Sequence, residues 1–372
     1  MKVFFLTILI SSSAFAGPIL QMNKAFNTLT ELMPFILSEE KFKEKKNEAV
    51  IKKHLDDFQT EFRLAGHDQI LKNDLFAPSY KMMTETVRES RTSFAAGKKD
   101  YSLWMLRDSI STCLECHTRL PPEHTSSFQD GDLQIETGKF KDPYELGITY
   151  LIVRRYVDAK EQFLRVIQDK LIKKEESGFI KPFQQILMIE LKVKKDPSAM
   201  LTFLSPFLDK KITTEELREL NNWKQRLEIL AKEKSRTGVH NDRELKAFIE
   251  RRLVPIENDL FDDQYKPDLL LASGVLSVYF FQNTQTKAAP LLNYWLGRIE
   301  AELRKDEFLS SADLFLKQCI KKYPLDPIAK KCFTALKENN EFMYSGSRGT
   351  EIPPEVTAEL NSLKALLERK KK

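Results

Sequence analysis

The sequence is short of the residues from which most binding and catalytic motifs are built. It has four cysteines, five histidines and 12 glycines in 372 residues. No Gly-rich phosphate loop, no Ser/His/Asp order and no paired-carboxylate pattern stands out. Nucleotide-dependent and hydrolytic chemistry therefore have no basis here, and the expectation is a protein that is not an enzyme. Val/Ile alternation is nearly absent and Pro and Gly are sparse, which argues against strands and for an all-α fold. Apolar runs such as Leu269 to Phe281 are too short to span a bilayer and suit a buried helix. A charge excess of one sign is also missing. The 59 Lys+Arg nearly balance 54 Asp+Glu, a net +5, and nothing points to nucleic acid. The terminal Arg369-Lys370-Lys371-Lys372 reads as a solvated helix end.

What the chain does have is Cys113-Leu114-Glu115-Cys116-His117, a C-x-x-C-H sequence. Two thiols at this spacing suit thioether bonds to the two vinyl groups of one porphyrin, and the adjacent imidazole suits the proximal position on its iron. Zinc would need two further ligands at matching spacing, and there is no second C-x-x-C and no H-x-x-x-H. A disulfide oxidoreductase would place its C-x-x-C at a helix start after a strand, and no strand pattern precedes Cys113. The expectation is one covalently attached haem c, held by Cys113, Cys116 and His117.

The amino-terminal residues agree with that reading. Met1-Lys2 is followed by an apolar run from Val3 to Ile10, and Ala14-Phe15-Ala16 has the small-x-small form of a cleavage site. Residues 1–16 are expected to be a signal peptide, and the mature chain to lie in a periplasm. Covalent haem and an oxidising compartment are compatible with each other.

Apolar spacing supports four helices around the motif. Met22, Phe26, Leu29, Met33 and Ile36 form one stripe, and Ile51, Leu55, Phe58, Phe62 and Ala65 form a second that stops at Gly66. Tyr80, Met83, Val87 and Phe94 follow Pro78 and end at Gly97. Leu103, Leu106, Ile110, Cys113 and His117 make the fourth, closed by Pro121-Pro122. The pattern predicts a four-helix bundle over residues 17–125, with the motif on its core-facing stripe.

A C-x-x-C-H near the end of the last of four helices, with no methionine between His117 and Met188, resembles the cytochrome c-prime family, the class II four-helix c-type cytochromes. The resemblance covers about residues 19–120. Thr118-Arg119-Leu120 stands where many members carry an aromatic-Arg pair. Membership would imply a haem in the bundle core and a first-helix residue against its distal face. That residue is a ligating methionine in low-spin members and a non-ligating apolar one in high-spin members. Met22 occupies the corresponding place, so it is a candidate sixth ligand, core filling being the alternative. The family's dimerisation through its first two helices implies a homodimer as one state open to this chain. His54, His67, His124 and His240 read as structural or exposed residues.

Residues 126–142 are polar, with Gly131 and Gly138, and read as a linker. Beyond it, over residues 143–372, helical patterns return. Tyr144, Leu146, Gly147 and Tyr150 with Ala159 and Phe163 resemble a tetratricopeptide-like hairpin, as do Leu292 to Gly297 with Ala312 to Pro324. No constant period links them, so the expectation is an irregular α-solenoid that docks a redox partner or another protein. Cys319 and Cys332 flank the Tyr323-Pro324-Leu325-Asp326-Pro327 turn. Facing helices would let them form a disulfide; two buried thiols are the alternative. The functional expectation is an exported monohaem cytochrome that transfers electrons. The alternatives are a five-coordinate protein that binds NO or CO, and a haem-bearing interaction scaffold.

Overall fold

In the computed structural model, residues 16–66, 70–121, 135–233, 238–303, 311–347 and 349–368 are described, with side chains from residue 22 onward. Among them the chain forms sixteen α-helices and a single two-residue strand pair. The all-α expectation holds. No helix of the described residues is long and apolar enough to cross a membrane. The proposed signal peptide before Ala16, the bulk of the linker, His67, His124 and the basic C-terminus lie outside the described residues.

The first four long helices follow the apolar stripes. They are α1 (Ala16–Ile36), α3 (Glu48–Ala65), α4 (Ala77–Ala95) and α5 (Lys99–Arg119), with a short α2 (Glu39–Lys43) between the first two. Their stops have physical causes. At the end of α3, a Cβ on Gly66 would overlap the Tyr80 ring. The bare glycine lets Tyr80 donate its hydroxyl to the Phe62 and Arg63 carbonyls, both at 3.2 Å. After α4, Gly97 adopts φ +77°, and the Lys98 amide returns to the Ser93 carbonyl at 2.9 Å. That is a left-handed glycine stop of the Schellman kind. α1 packs mainly along α3, and α4 along α5, so the helices form two close pairs that also meet each other. Buried Ser90 and Ser102 lie between α4 and α5, their hydroxyls 2.9 Å apart, and small side chains there allow a close approach.

The chain continues through α6 (Pro143–Ile152), α7 (Tyr156–Ile172) and α8 (Ile180–Met188). α8 runs into a π-turn at Ile189–Val193 before α9 (Pro197–Leu204). Then come α10 (Thr214–Lys232), α11 (Asp242–Arg252), α12 (Lys266–Gln282), α13 (Ala289–Leu303), α14 (Ala312–Lys322), α15 (Pro327–Met343) and α16 (Pro354–Leu367). α12 is buried on every side, as its continuous apolar run requires. The Ser345 turn is a small antiparallel hairpin pairing Ser345 with Thr350 and Gly346 with Gly349.

Buried apolar side chains of the two regions are in contact. Buried side chains from Ala25 to Leu363 belong to one cluster. α5 packs on α6, on the π-turn and on α12, and α4 touches α14. Phe76 meets Phe281 with ring centroids 5.9 Å apart, and Gln318 donates to the Asp74 carbonyl at 3.0 Å. The last part of the linker folds back as well, Lys139 reaching Glu31 on α1 at 2.7 Å.

Two predictions arise from this packing. A Cβ on Gly274 of α12 would drive into the backbone carbonyl of Lys192 in the π-turn. Backbone cannot rotate aside, so Gly274→Ala should cost about 3 kcal/mol, read by urea unfolding; a loss below about 1 kcal/mol would mean the π-turn yields freely. Cys319 and Cys332 are joined as a disulfide across the α14–α15 hairpin, their Cα atoms 6.4 Å apart. The double Cys319→Ala, Cys332→Ala variant should lose about 3 kcal/mol. Peptide maps without reductant should show one linked pair, whereas two alkylatable thiols would contradict it.

Candidate functional site

The last three turns of α5 carry the C-x-x-C-H residues on one face. Cys113 and His117 are buried, at 8% and 7% exposure, Cys116 is half-buried, and neither cysteine is disulfide-bonded. Spacings of three and four residues set the two sulfurs and the ring along one stripe. That stripe faces α1, where the Phe26 ring stands edge-on to the His117 imidazole with centroids 4.9 Å apart and planes at 88°.

His117 is held from the other region of the chain. Its Nδ1 lies within hydrogen-bond reach of the Ile152 carbonyl at the end of α6. Burial, and next the nearby Arg154 charge, hold its pKa down to about 3, against a weaker upward pull from Ile152. The ring is therefore neutral near pH 7. A carbonyl oxygen has no proton to give, so Nδ1 must carry the single N–H, which leaves the lone pair on Nε2.

The same turn caps α5. Tyr156 donates its hydroxyl to the His117 carbonyl at 3.0 Å, and Arg154 donates to the Leu120 and Pro121 carbonyls, each at 3.0 Å. Arg154 Nε reaches the Tyr156 hydroxyl at 3.2 Å. These groups meet the orphan carbonyls of a helix C-terminus, where a cation is also favoured by the helix dipole.

The opposite side of α5 is ionic. Arg119 is fully buried and pairs with Glu115 one turn back. It also lies 3.7 Å from Glu300 on α13, donates to Ser79 at 3.2 Å and to Ser311 at 2.6 Å, and stacks over the Phe315 ring at 4.6 Å. Glu300 accepts from Lys192 of the π-turn at 3.0 Å and from Ser273 at 2.8 Å. Burial alone would raise its carboxyl. Lys192, Arg119 and the Ser273 hydroxyl outweigh that and hold it below the usual range. A cavity of about 260 Å³ adjoins this network, lined by Glu115, Thr118, Gln185, Lys192 and Glu300 among others.

The structure places Cys113, Cys116 and His117 near the end of α5. Met22 is half-buried on α1 and packs against the core, one turn from Phe26. His54 is half-buried, and His240 is exposed in the turn that caps α11, where its amide donates to Glu244 at 2.8 Å. Phe26, Ile152, Arg154 and Tyr156 were not legible as site residues. Phe26 reads as one more core position, and the rest lie beyond the linker with no motif of their own.

Do these residues fit a haem c? Among the described residues no group of three or more His, Cys, Asp or Glu side chains converges on one point, but a porphyrin brings four nitrogen donors of its own. The chain need supply two thiols at thioether spacing and a neutral imidazole with its lone pair on Nε2, and it supplies both. The donor set fits. No family model, curated protein or solved structure matches the chain.

Proposed function

We propose that the chain is an exported, periplasmic monohaem c-type cytochrome whose role is electron transfer, similar to the cytochrome c-prime family over its first four long helices. Cys113 and Cys116 would be the thioether anchors and His117 the proximal ligand. The haem, when bound, supplies a one-electron couple at the protein interior. The observation that carries the reading is the His117 imidazole, placed next to two thiols in C-x-x-C-H order and tied through Nδ1 to Ile152. A backbone acceptor on the far nitrogen is how proteins fix the tautomer of a ligating histidine. The chain's own contribution is positional. α5 presents the anchors, α1 closes one side with Phe26, and the Ile152–Tyr156 turn closes the helix end.

The region beyond the linker would act as an irregular α-solenoid that docks a redox partner. Two hairpins support the tetratricopeptide-like comparison. Gly147 of α6 receives the Phe163 ring of α7, and Gly297 of α13 receives Leu316 of α14; a Cβ on either glycine would come within 2.7 Å of its partner. Part of this region's surface is already used against α5.

A second reading is a five-coordinate haem that binds NO or CO. Met22 packs against the apolar core, which suits core filling rather than a sixth ligand. Ferric and ferrous absorption spectra with and without CO separate the two. A low-spin spectrum unmoved by CO supports electron transfer and makes Met22→Ala the next variant. A high-spin spectrum shifted by CO supports gas binding. Absence of haem after expression with a working attachment system would overturn both.

A further inference from the structure

We infer that the Ile152–Tyr156 turn is the proximal wall of the haem site, and that Arg154 and Tyr156 are positioning residues that raise the reduction potential of a haem bound at His117. The inference rests on the cytochrome reading and extends it to residues outside the four-helix region.

Four observations support it. Ile152 provides the acceptor that fixes the His117 ring. Tyr156 and Arg154 fasten the backbone of His117, Leu120 and Pro121, so the imidazole is held by its ring and by its main chain from one turn. Arg154 is wholly buried, which places a permanent cation in a dry environment beside the proximal ligand. Its backbone, at φ +61°, is the left-handed stop of α6, the Arg155 amide returning to the Tyr150 carbonyl at 2.8 Å, and so fixes where the side chain leaves the turn.

The direction follows from charge. Oxidation leaves an added positive charge at the iron, and a buried cation nearby disfavours the oxidised form. A carbonyl acceptor on Nδ1–H works in the opposite sense, making the imidazole a stronger donor. The turn therefore sets the potential by two opposed effects, and only the arginine can be removed by substitution.

The test uses full-length holoprotein. Potentiometric titration of Arg154→Gln should show the reduction equilibrium moving toward the oxidised form by about tenfold, 59 mV for one electron. Arg154→Lys should restore most of it, a rescue that a purely structural role does not predict. In haem-free full-length chain, the ¹⁵N shifts of His117 should report Nδ1–H. Haem present with an unchanged potential in Arg154→Gln would overturn the inference and leave the cytochrome reading intact; Nδ1 found without its proton would also overturn it. If Arg154→Gln does not fold, Tyr156→Phe decides: it removes the hydroxyl that accepts from Arg154 Nε and so loosens the guanidinium beside His117, a fall in potential supporting the wall and no change refuting it. A wild-type chain without haem would defeat the cytochrome reading and the inference together.

Discussion

Replacing Arg119 by methionine should lower the unfolding free energy by about 3–5 kcal/mol. The side chain is fully buried and stands between two buried carboxylates, Glu115 and Glu300. Methionine matches the aliphatic stem but removes the Arg119 charge from both Glu115 and Glu300, the latter keeping Lys192 and the Ser273 hydroxyl. A carboxylate stranded in a dry interior must protonate or draw in water, and both are costly. Ser79 and Ser311 lose their guanidinium contacts at the same time. Urea denaturation at neutral pH reads the difference. Arg119→Met with Glu115→Leu should recover a good part of the loss, since an apolar replacement of both partners removes the stranded charge. A single variant within about 1 kcal/mol of wild type would mean that water already reaches the network.

On the proposed reading, the double variant Cys113→Ala, Cys116→Ala should lose all covalently held haem and all redox activity while remaining helical. Cys113 is a small buried residue on a helix that many other contacts fasten, so alanine in its place leaves only a small gap. Haem staining after denaturing electrophoresis measures attachment, and far-ultraviolet circular dichroism measures the fold. Haem still bound under denaturing conditions would show that the anchors lie elsewhere. The variant also addresses the scaffold alternative. A partner that binds it as well as it binds the wild type would shift the main role from electron transfer to protein interaction.

The helices around the motif were legible because each stripe ends at a residue with a single reason to be there. Gly66 and Gly97 stop α3 and α4 where the spacing expected, one because Tyr80 needs the room and the other because the backbone turns left-handed. The ionic side of α5 was illegible for the opposite reason. Arg119, Glu115, Lys192 and Glu300 are charged, and in a sequence charge reads as surface. Nothing local signals that four such residues, spread over nearly two hundred positions, meet in the interior. The expectation of a linker had a similar limit. Polar composition over residues 126–142 gave no sign that buried apolar side chains of the regions on either side are in contact.

The long reach of those contacts orders events in time. Cys113, Cys116 and His117 leave the ribosome early, but Ile152 lies 35 residues after His117 and Ser311 lies 192 after Arg119. A chain made from its amino end therefore presents both thiols before the groups that will enclose them exist. Once α6 docks on α5, the His117 end of the stripe is shut. On the proposed reading, haem attachment has a window that closes with folding, and a chain that folds before it meets haem is committed to remaining without one.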